Sequence, residues 1–252
     1  WCDRRIMSDG PKTEIGFPEV KLGLFPGWGG TARAPRIAGL GNAVELVTGG
    51  ESIRPTEALK MGLISHTGNV EQVSRLVRDL GDKENSNKSG DLFHALQQAA
   101  INVVRLEQHT GDYLKDRQRW SGPVPMGDTE LGFLGATASA YIRGQTKGHY
   151  PAPEAALEVM LGAAGEDIET ACKMEAEGFA PLFGSPVNRA LLNVFFLTDR
   201  NKKDTGIDGG NVTPAEVKRV GVIGAGIMGA GIAAANIKRE VPVQLSDANA
   251  EA

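Results

Sequence analysis

The sequence predicts an α/β fold in which a mixed first part, a helical middle part and a short strand–helix–strand unit follow one another. Segments of helical and strand character alternate over residues 13–65, which is typical of α/β proteins. Residues 129–200 have apolar residues at helical spacing. Residues 217–247 have the pattern of a strand, a glycine-rich turn, a helix and a second strand. These three observations define the predicted fold class and organisation.

Composition and charge are those of a globular protein. Of the 252 residues, 41% are hydrophobic and 23% are charged, and the formal net charge is −4. The small acidic excess gives no electrostatic reason to expect nucleic acid or an anionic membrane as a partner. No apolar run reaches about 18 residues, so we expect no transmembrane segment. Cys2 and Cys172 lie far apart in sequence, which favours a reducing compartment over a disulfide framework.

The first 65 residues contain several short elements. Residues 13–25 predict a short strand and then a turn at Pro18, and residues 41–48 predict a helix. In the glycine-rich phrase between them, Thr31 is a candidate helix cap. A further helix is expected to start near Pro55 and to be followed by a strand at Leu63 and Ile64.

Helical patterns dominate the middle of the chain. Apolar spacing predicts helices over residues 69–80 and 92–107, with an exposed loop at 81–91 between them and a break at 120–127. Pro151 and Pro153 are expected to interrupt the helical region. Ser185 and Pro186 occupy the cap and first-turn positions of the last helix. Residues 201–213 are polar and glycine-rich, which predicts a linker.

One apolar stripe is predicted within that helical region, and it consists of Ile168, Ala171, Cys172, Glu175 and Phe179.

A dinucleotide-binding fingerprint follows the linker. Gly224, Gly226 and Gly229 form a G-x-G-x-x-G motif, and Met228 lies within it. In this motif the first glycine permits a tight turn, the second lets the backbone approach a pyrophosphate, and the third lets helix and strand pack closely. Asp247 lies 23 residues after Gly224, near the roughly 20 expected for an acid that binds the ribose hydroxyls. We therefore predict binding of NAD rather than NADP through these five residues.

Several segments resemble known families. Residues 15–40, IGFPEVKLGLFPGWGGTARAPRIAGL, resemble the signature of the crotonase family of enoyl-CoA hydratases and isomerases, and residues 53–65 resemble the phrase that follows it. Residues 147–160, 195–203 and 220–233 resemble, in the same order, the multifunctional α subunits of fatty-acid β-oxidation.

The resemblance implies three parts. Residues 1–128 would be the C-terminal part of a crotonase-like spiral fold, and residues 129–213 a helical linker region packing on it. Residues 214–252 would be the first βαβ unit of a Rossmann NAD-binding domain. The implied reactions are hydration of a trans-2-enoyl-CoA to a 3-hydroxyacyl-CoA, followed by its NAD-dependent oxidation to a 3-oxoacyl-CoA.

The resemblance also implies roles for individual residues. Glu19 matches the family's second glutamate, which protonates the α-carbon, and Gly27 is expected to border the acyl pocket. The first glutamate and the oxyanion-binding N–H groups would lie before Trp1, and the rest of the dinucleotide fold after Ala252. We therefore expect the chain alone to be inactive in both reactions.

Other residues have less specific patterns. The resemblance places Asp199 where an acid contacts substrate, although a surface acid near a helix end fits equally well. Phe195 and Phe196 are interpreted as core residues more readily than as a cover for acyl-CoA. The pair Lys202 and Lys203 is expected to be solvated. The four histidines lack metal-ligand spacing, so no metal site is predicted.

Two alternatives stay open at this point. An enoyl-CoA isomerase would use the same fold with fewer carboxyls, and a non-catalytic scaffold or proteolytic core would keep the fold without the activity. The resemblance further implies an acyl-CoA substrate, a thiolase β subunit as a partner, an oligomer, and a bacterial cytoplasmic or mitochondrial matrix location.

Overall fold

A computed structural model describes residues 2–68, 92–204, 206 and 215–249. The predicted helix at 69–80 and loop at 81–91 lie outside the described residues, as does most of the predicted linker at 201–213. The chain divides into two compact units, residues 1–199 and residues 200–252. The predicted domain boundaries at 128 and 213 stay predictions.

The first unit begins with short strands and helices that frame the glycine-rich phrase. Strands β1 and β4 pair in parallel, and β2 and β3 pair antiparallel. A 3₁₀ helix follows β2 because Pro18 fixes its first turn. The elements in order are β1 (Ile6–Ser8), β2 (Ile15–Gly16), the 3₁₀ helix (Pro18–Leu22), α1 (Gly30–Ala38), α2 (Leu40–Gly49), β3 (Ser52–Ile53), α3 (Pro55–Lys60) and β4 (His66–Gly68).

The rest of the first unit is helical within the described ranges. Glycine or short polar turns end most of these helices. They are α4 (Leu92–Thr110), α5 (Asp112–Ser121), α6 (Asp128–Thr146), α7 (Pro151–Gly162), α8 (Ile168–Phe179) and α9 (Pro186–Lys203).

Most of the predicted elements are confirmed, and two predictions are wrong. Leu63 and Ile64 form a buried turn rather than a strand, which begins only at His66. The helical region is interrupted just before Pro151, as expected, and Pro151 then starts α7, where the missing proline N–H would be unpaired in any case. Thr31 lies inside the first turn of α1 instead of capping it.

One hydrophobic core joins residues of α1 and α2, near the start of the first unit, to residues of the helices that follow residue 128. Phe25, fully buried, and Val47 of α2 share this core with Leu157 and Met160 of α7 and with Ile142 of α6. The helices after residue 128 therefore bury the apolar face of α1 and α2, and the folding of the two segments is coupled.

A buried arginine ties α1 to the turn that follows α7. Arg36 is 9% exposed, and its guanidinium donates to the backbone oxygens of Ala32, Gly122, Ala163 and Glu166. Burial lowers the pKa of this guanidinium from its usual value, yet an arginine stays charged in proteins. The four carbonyls thus solvate a cation that is largely shielded from water.

A buried glutamate caps the other end of α1. Gly29, the residue before α1, has no side chain to accept from the first-turn N–H groups. Glu175 of α8, which is 2% exposed, accepts instead from the N–H groups of Gly29, Thr31 and Ala32 and from the Thr31 hydroxyl. The distances from its carboxylate to the Thr31 N–H and to the Thr31 hydroxyl are 2.8 and 2.6 Å. A carboxylate is favourable here because it meets both unpaired N–H groups and the positive end of the helix dipole.

The second unit is a single βαβ unit within the described residues. Its elements are β5 (Val220–Ile223), α10 (Ile227–Ile237) and β6 (Val243–Ser246). The strands are parallel, with Val220 opposite Val243 and Ile223 opposite Ser246. Val222 and Ala233 are buried where helix and strand meet. The pattern predicted for residues 217–247 is confirmed.

Replacing Glu175 by glutamine should destabilise the first unit by roughly 2–3 kcal/mol, because an amide keeps one acceptor oxygen and turns a donor toward N–H groups. The matched control is Glu177→Gln on the exposed face of the same helix, expected within about 0.5 kcal/mol of the wild type. All three tryptophans lie in the first unit, so urea unfolding followed by tryptophan fluorescence reports on it alone. Equal stability of both variants would contradict the capping role.

Candidate functional site

Glu19 lies on the 3₁₀ helix, the position of which is fixed at both ends. Pro18 sets the first turn, and Gly23 ends the helix in a left-handed conformation with a φ of 74° that few other residues adopt. The backbone oxygen of Glu19 accepts from the N–H of Leu24. The carboxyl group therefore projects from a tight, well-defined turn.

A buried asparagine holds that turn against α9. The Asn188 side chain donates to the backbone oxygen of Leu22 at 2.8 Å and accepts from the N–H of Gly184 at 3.0 Å. Asn188 is 1% exposed, and a Cβ on Gly23 would lie 3.2 Å from its Cα. Both the glycine and the asparagine are needed for this close approach, which keeps the start of α9 next to Glu19.

Glu19 lines a largely apolar cleft of about 420 Å³. Its half-buried side chain places Oε2 out of contact with solvent, and no hydrogen-bond partner for this oxygen exists within the described residues. A carboxyl oxygen held in an apolar cleft without a partner can exchange a proton with a bound molecule. The lining residues are Phe17, Glu19, Leu24, Phe25, Pro26, Gly27, Trp28, Gly30 and Phe179.

Gly27, the second residue predicted for this site, lies in the same cleft. A Cβ at this position would come within 3.0 Å of the Phe179 ring. The glycine thus leaves room for an aromatic side chain that belongs to α8. The structure brings Glu19 and Gly27 together, and their chemical roles stay predictions.

Asp199 is not among the residues that line this cleft. It lies near the end of α9 and is exposed, and its role as a substrate contact stays a prediction. The interpretation of Phe195 and Phe196 as core is wrong, because they are 53% and 62% exposed, with their rings 5.5 Å apart. Lys202 and Lys203 are exposed, as expected.

The roles of three residues in this region were not predicted from the sequence. Glu175 and Phe179 belong to the predicted apolar stripe of α8, where a glutamate among apolar residues was the signal for a buried acceptor. Asn188 gave no signal, because its role depends on Leu22, which is distant in sequence.

The second candidate site is the glycine-rich turn between β5 and α10. Gly224 has a φ of 101°, a conformation that favours glycine. A Cβ on Gly229 would lie 1.7 Å from the backbone oxygen of Gly224, so only glycine lets helix and strand approach so closely. Around Gly226, by contrast, the described residues leave a Cβ position open. Met228 lies in the first turn of α10 and is 79% exposed.

Asp247 follows β6 and lies against this turn. Its carboxylate accepts from the N–H of Asn249 at 2.8 Å and from the N–H of Ala225 at 2.5 Å. These two hydrogen bonds lower the pKa of Asp247 below its usual value. Each carboxylate oxygen keeps a further lone pair, which a ribose hydroxyl could use. The turn, the uncapped start of α10 and the acid therefore fit the pyrophosphate and ribose of a dinucleotide.

Two features are absent from the part of the chain that the structure describes. None of its helices has the length and apolar character needed to cross a membrane. No group of three or more histidine, cysteine, aspartate or glutamate residues is arranged to hold a metal ion there.

Comparison with known families gives a match for a segment of each unit. Residues 1–119 match the enoyl-CoA hydratase/isomerase family, and residues 219–252 match the NAD-binding domain of 3-hydroxyacyl-CoA dehydrogenase. The two ends of the chain are therefore similar to two different enzyme families. The predicted fold class, crotonase-like followed by the start of a Rossmann domain, is confirmed, and so is NAD as the cofactor.

The relatives that match nearly the whole chain are named as fatty acid oxidation complex subunits. The chain is 32% identical over 254 residues to the fatty acid oxidation complex subunit alpha of Shewanella sp. (strain MR-4), covering 98% of this chain and 32% of that protein. It is 31% identical over 249 residues to the subunit of the same name from Shewanella oneidensis, with the same coverage. The chain thus spans about a third of the length of the curated relatives it matches.

Two glycine substitutions in the second unit should separate folding from binding. Gly229→Ala forces a methyl group onto the Gly224 oxygen and should disrupt the βαβ unit, seen as lost helical circular dichroism. Gly226→Ala meets no protein atom and should leave the fold intact while weakening NAD binding at least tenfold in calorimetry, because the methyl group takes the space of the pyrophosphate.

The control is Gly231→Ala, within α10 and also without a nearby atom, which should preserve both fold and binding. Wild-type NAD affinity in the Gly226 variant would exclude this turn as the dinucleotide site.

Proposed function

We propose that the protein carrying this chain hydrates trans-2-enoyl-CoA thioesters to 3-hydroxyacyl-CoA and oxidises these to 3-oxoacyl-CoA with NAD. The observation that supports it most is the Glu19 carboxyl in an apolar cleft, with Oε2 shielded from water and unpaired within the described residues. The family assignments of the two segments and the names of the relatives agree with it.

In the hydration step Glu19 acts as a general acid. A hydroxide equivalent from water bonds to the β-carbon while the Glu19 carboxyl delivers a proton to the α-carbon, and the C=C π bond is lost. The proton released by water goes to a second base, so that atoms and charge balance.

In the oxidation step this chain contributes cofactor binding. Bound NAD would supply the hydride acceptor for the hydroxyl-bearing carbon, while the hydroxyl proton would pass to a base as the C=O bond forms. The N–H groups at the start of α10 would hold the pyrophosphate, and Gly226 leaves the space that it needs. Asp247 would accept hydrogen bonds from the adenosine ribose and repel a 2′-phosphate.

An enoyl-CoA isomerase is the second candidate, supported by one observation. Glu19 is the one acidic residue among the described residues that line the cleft. Moving a double bond requires a proton to leave one carbon and another to arrive two carbons away, which a single carboxyl can perform. Comparing turnover of 2-enoyl-CoA and 3-enoyl-CoA substrates separates the two reactions.

The relatives are named as subunits of a complex. We therefore include in the proposal an assembly with a further subunit, for which a thiolase remains the predicted partner. The bacterial relatives favour the cytoplasm over a mitochondrial matrix as the location.

Glu19→Gln should lower the rate of crotonyl-CoA hydration by about 10²–10⁴-fold in the protein that carries this chain, because the amide cannot donate the required proton. Stability should stay close to that of the wild type, since Oε2 has no hydrogen bond to lose among the described residues. The hydration rate is measured from the decrease in absorbance of the conjugated enoyl thioester.

Glu14→Gln is the matched control, because Glu14 is an exposed acid shortly before Glu19 and does not line the cleft. A Glu19 variant as active as this control would remove Glu19 from the mechanism.

Asp247→Asn should weaken NAD binding and raise the affinity for NADP relative to NAD, because the charge that repels a 2′-phosphate is gone. For the wild type, NAD affinity should hold as pH falls through the ordinary range of aspartate titration. It should be lost only at lower pH, since the pKa of Asp247 is lowered by the N–H groups of Asn249 and Ala225 and protonation removes an acceptor.

Calorimetric titrations with NAD and NADP at several pH values measure both effects. Glu216→Gln, at an exposed acid of the same unit, is the control. An unchanged ratio of the two affinities in the Asp247 variant would contradict the assignment.

A further inference from the structure

Phe179 is the aromatic side chain that α8 contributes to the cleft beside Glu19. The other lining residues belong to residues 17–30, so this ring comes from more than a hundred residues further along the chain. The cleft is therefore completed by the helical region that follows the hydratase segment.

The ring is held in place on several sides. Phe25, which is fully buried, meets it edge-on with ring centres 5.7 Å apart. Phe183 stacks on it at 6.2 Å. A Cβ on Gly27 would lie 3.0 Å from the ring, so the backbone of the cleft loop is already in close approach. These contacts hold the ring from several sides, and it forms a wall of the cleft.

The helix that carries the ring is equally constrained. Glu175, one turn earlier on α8, binds the start of α1 through four hydrogen bonds. A Cβ on Gly178 would come within 2.5 Å of Val159 and 3.5 Å of Phe25, so α8 packs closely against α7 there. The position of Phe179 is thus set by contacts that a bound molecule would not alter.

The chemistry of the cleft indicates which part of a substrate meets this wall. Apart from Glu19, the side chains around it are apolar, with Phe17, Leu24 and Phe25 on the same surface. The nucleotide part of coenzyme A is anionic and would lose its hydration there without compensation. A hydrocarbon chain gains free energy by burial, about 0.8 kcal/mol per methylene group.

We propose that Phe179 is a specificity-determining residue, whose ring limits the length of the acyl chain that the cleft accepts next to Glu19. This inference rests on the proposed function and adds to it the residue that selects among acyl-CoA substrates.

A size series at Phe179 tests the proposal in the protein that carries this chain. The measured quantity is the ratio of kcat/KM for trans-2-decenoyl-CoA to kcat/KM for crotonyl-CoA. Phe179→Ala should raise this ratio about fourfold or more, the equivalent of one further buried methylene group. Phe179→Trp should lower it. A purely structural role would reduce both rates together and leave the ratio unchanged.

Phe133→Ala is the matched control, because Phe133 of α6 is also an aromatic residue, is 75% exposed and does not line the cleft. Its ratio should equal that of the wild type. Should Phe179→Ala fail to fold, Phe179→Leu keeps an apolar side chain of smaller reach and should shift the ratio in the same direction. A ratio that is unchanged, or that moves the same way for smaller and larger side chains, overturns the proposal.

Binding gives a readout that does not depend on turnover. Trp28 lines the cleft and is 95% exposed, so its emission should shift when an acyl chain enters. Titrating butyryl-CoA and decanoyl-CoA should show a larger preference for the longer chain in Phe179→Ala than in the wild type. An equal preference overturns the proposal.

A failure of the proposed function is distinguishable from a failure of the specificity role of Phe179. If Glu19→Gln abolishes hydration but substitutions at Phe179 leave the ratio of the two kcat/KM values unchanged, only the specificity role is excluded. If the wild type neither hydrates nor binds acyl-CoA at this cleft, both proposals fall.

Discussion

The contact between Glu175 and the start of α1 joins the two sequence segments from which the first unit is built. Its carboxylate accepts from three backbone N–H groups and one hydroxyl. The loop immediately before α1 forms one side of the Glu19 cleft, and Phe179, one turn after Glu175 on α8, forms another. The geometry of the cleft therefore depends on a hydrogen-bonded group that does not itself line it.

Backbone groups, rather than opposite charges, compensate two buried charged side chains of the first unit. Glu175 accepts from N–H groups at one end of α1, whereas Arg36 near the other end donates to four backbone oxygens. Removing a charged partner from a buried ion pair leaves the other ion stranded, but here each ion faces backbone dipoles. Several of these dipoles, those of Gly29, Gly122, Ala163 and Glu166, lie between helices, so the two ions specify how these connections are placed as well as how the helices pack.

The fold class, the family and the dinucleotide fingerprint could be predicted because each depends on residues close together in sequence. The glycine spacing around Gly226 and the acid at Asp247 belong to one βαβ unit. Thr31, in contrast, was assigned as a helix cap because local rules consider only nearby side chains, while the cap came from Glu175. The exposure of Phe195 and Phe196 was also missed, because helical spacing alone does not show what packs against a face.

The chain contains two glycine-rich helix starts of similar composition, and they differ in one respect. At Gly29 the N–H groups that begin α1 are already occupied by a carboxylate of the protein itself. At Gly226 no side chain among the described residues caps α10. A phosphate competing for the first would have to displace the Glu175 carboxylate, which is part of the same chain and is already hydrogen-bonded there. Of these two helix starts, only that of α10 leaves its N–H groups accessible to a diffusible anion.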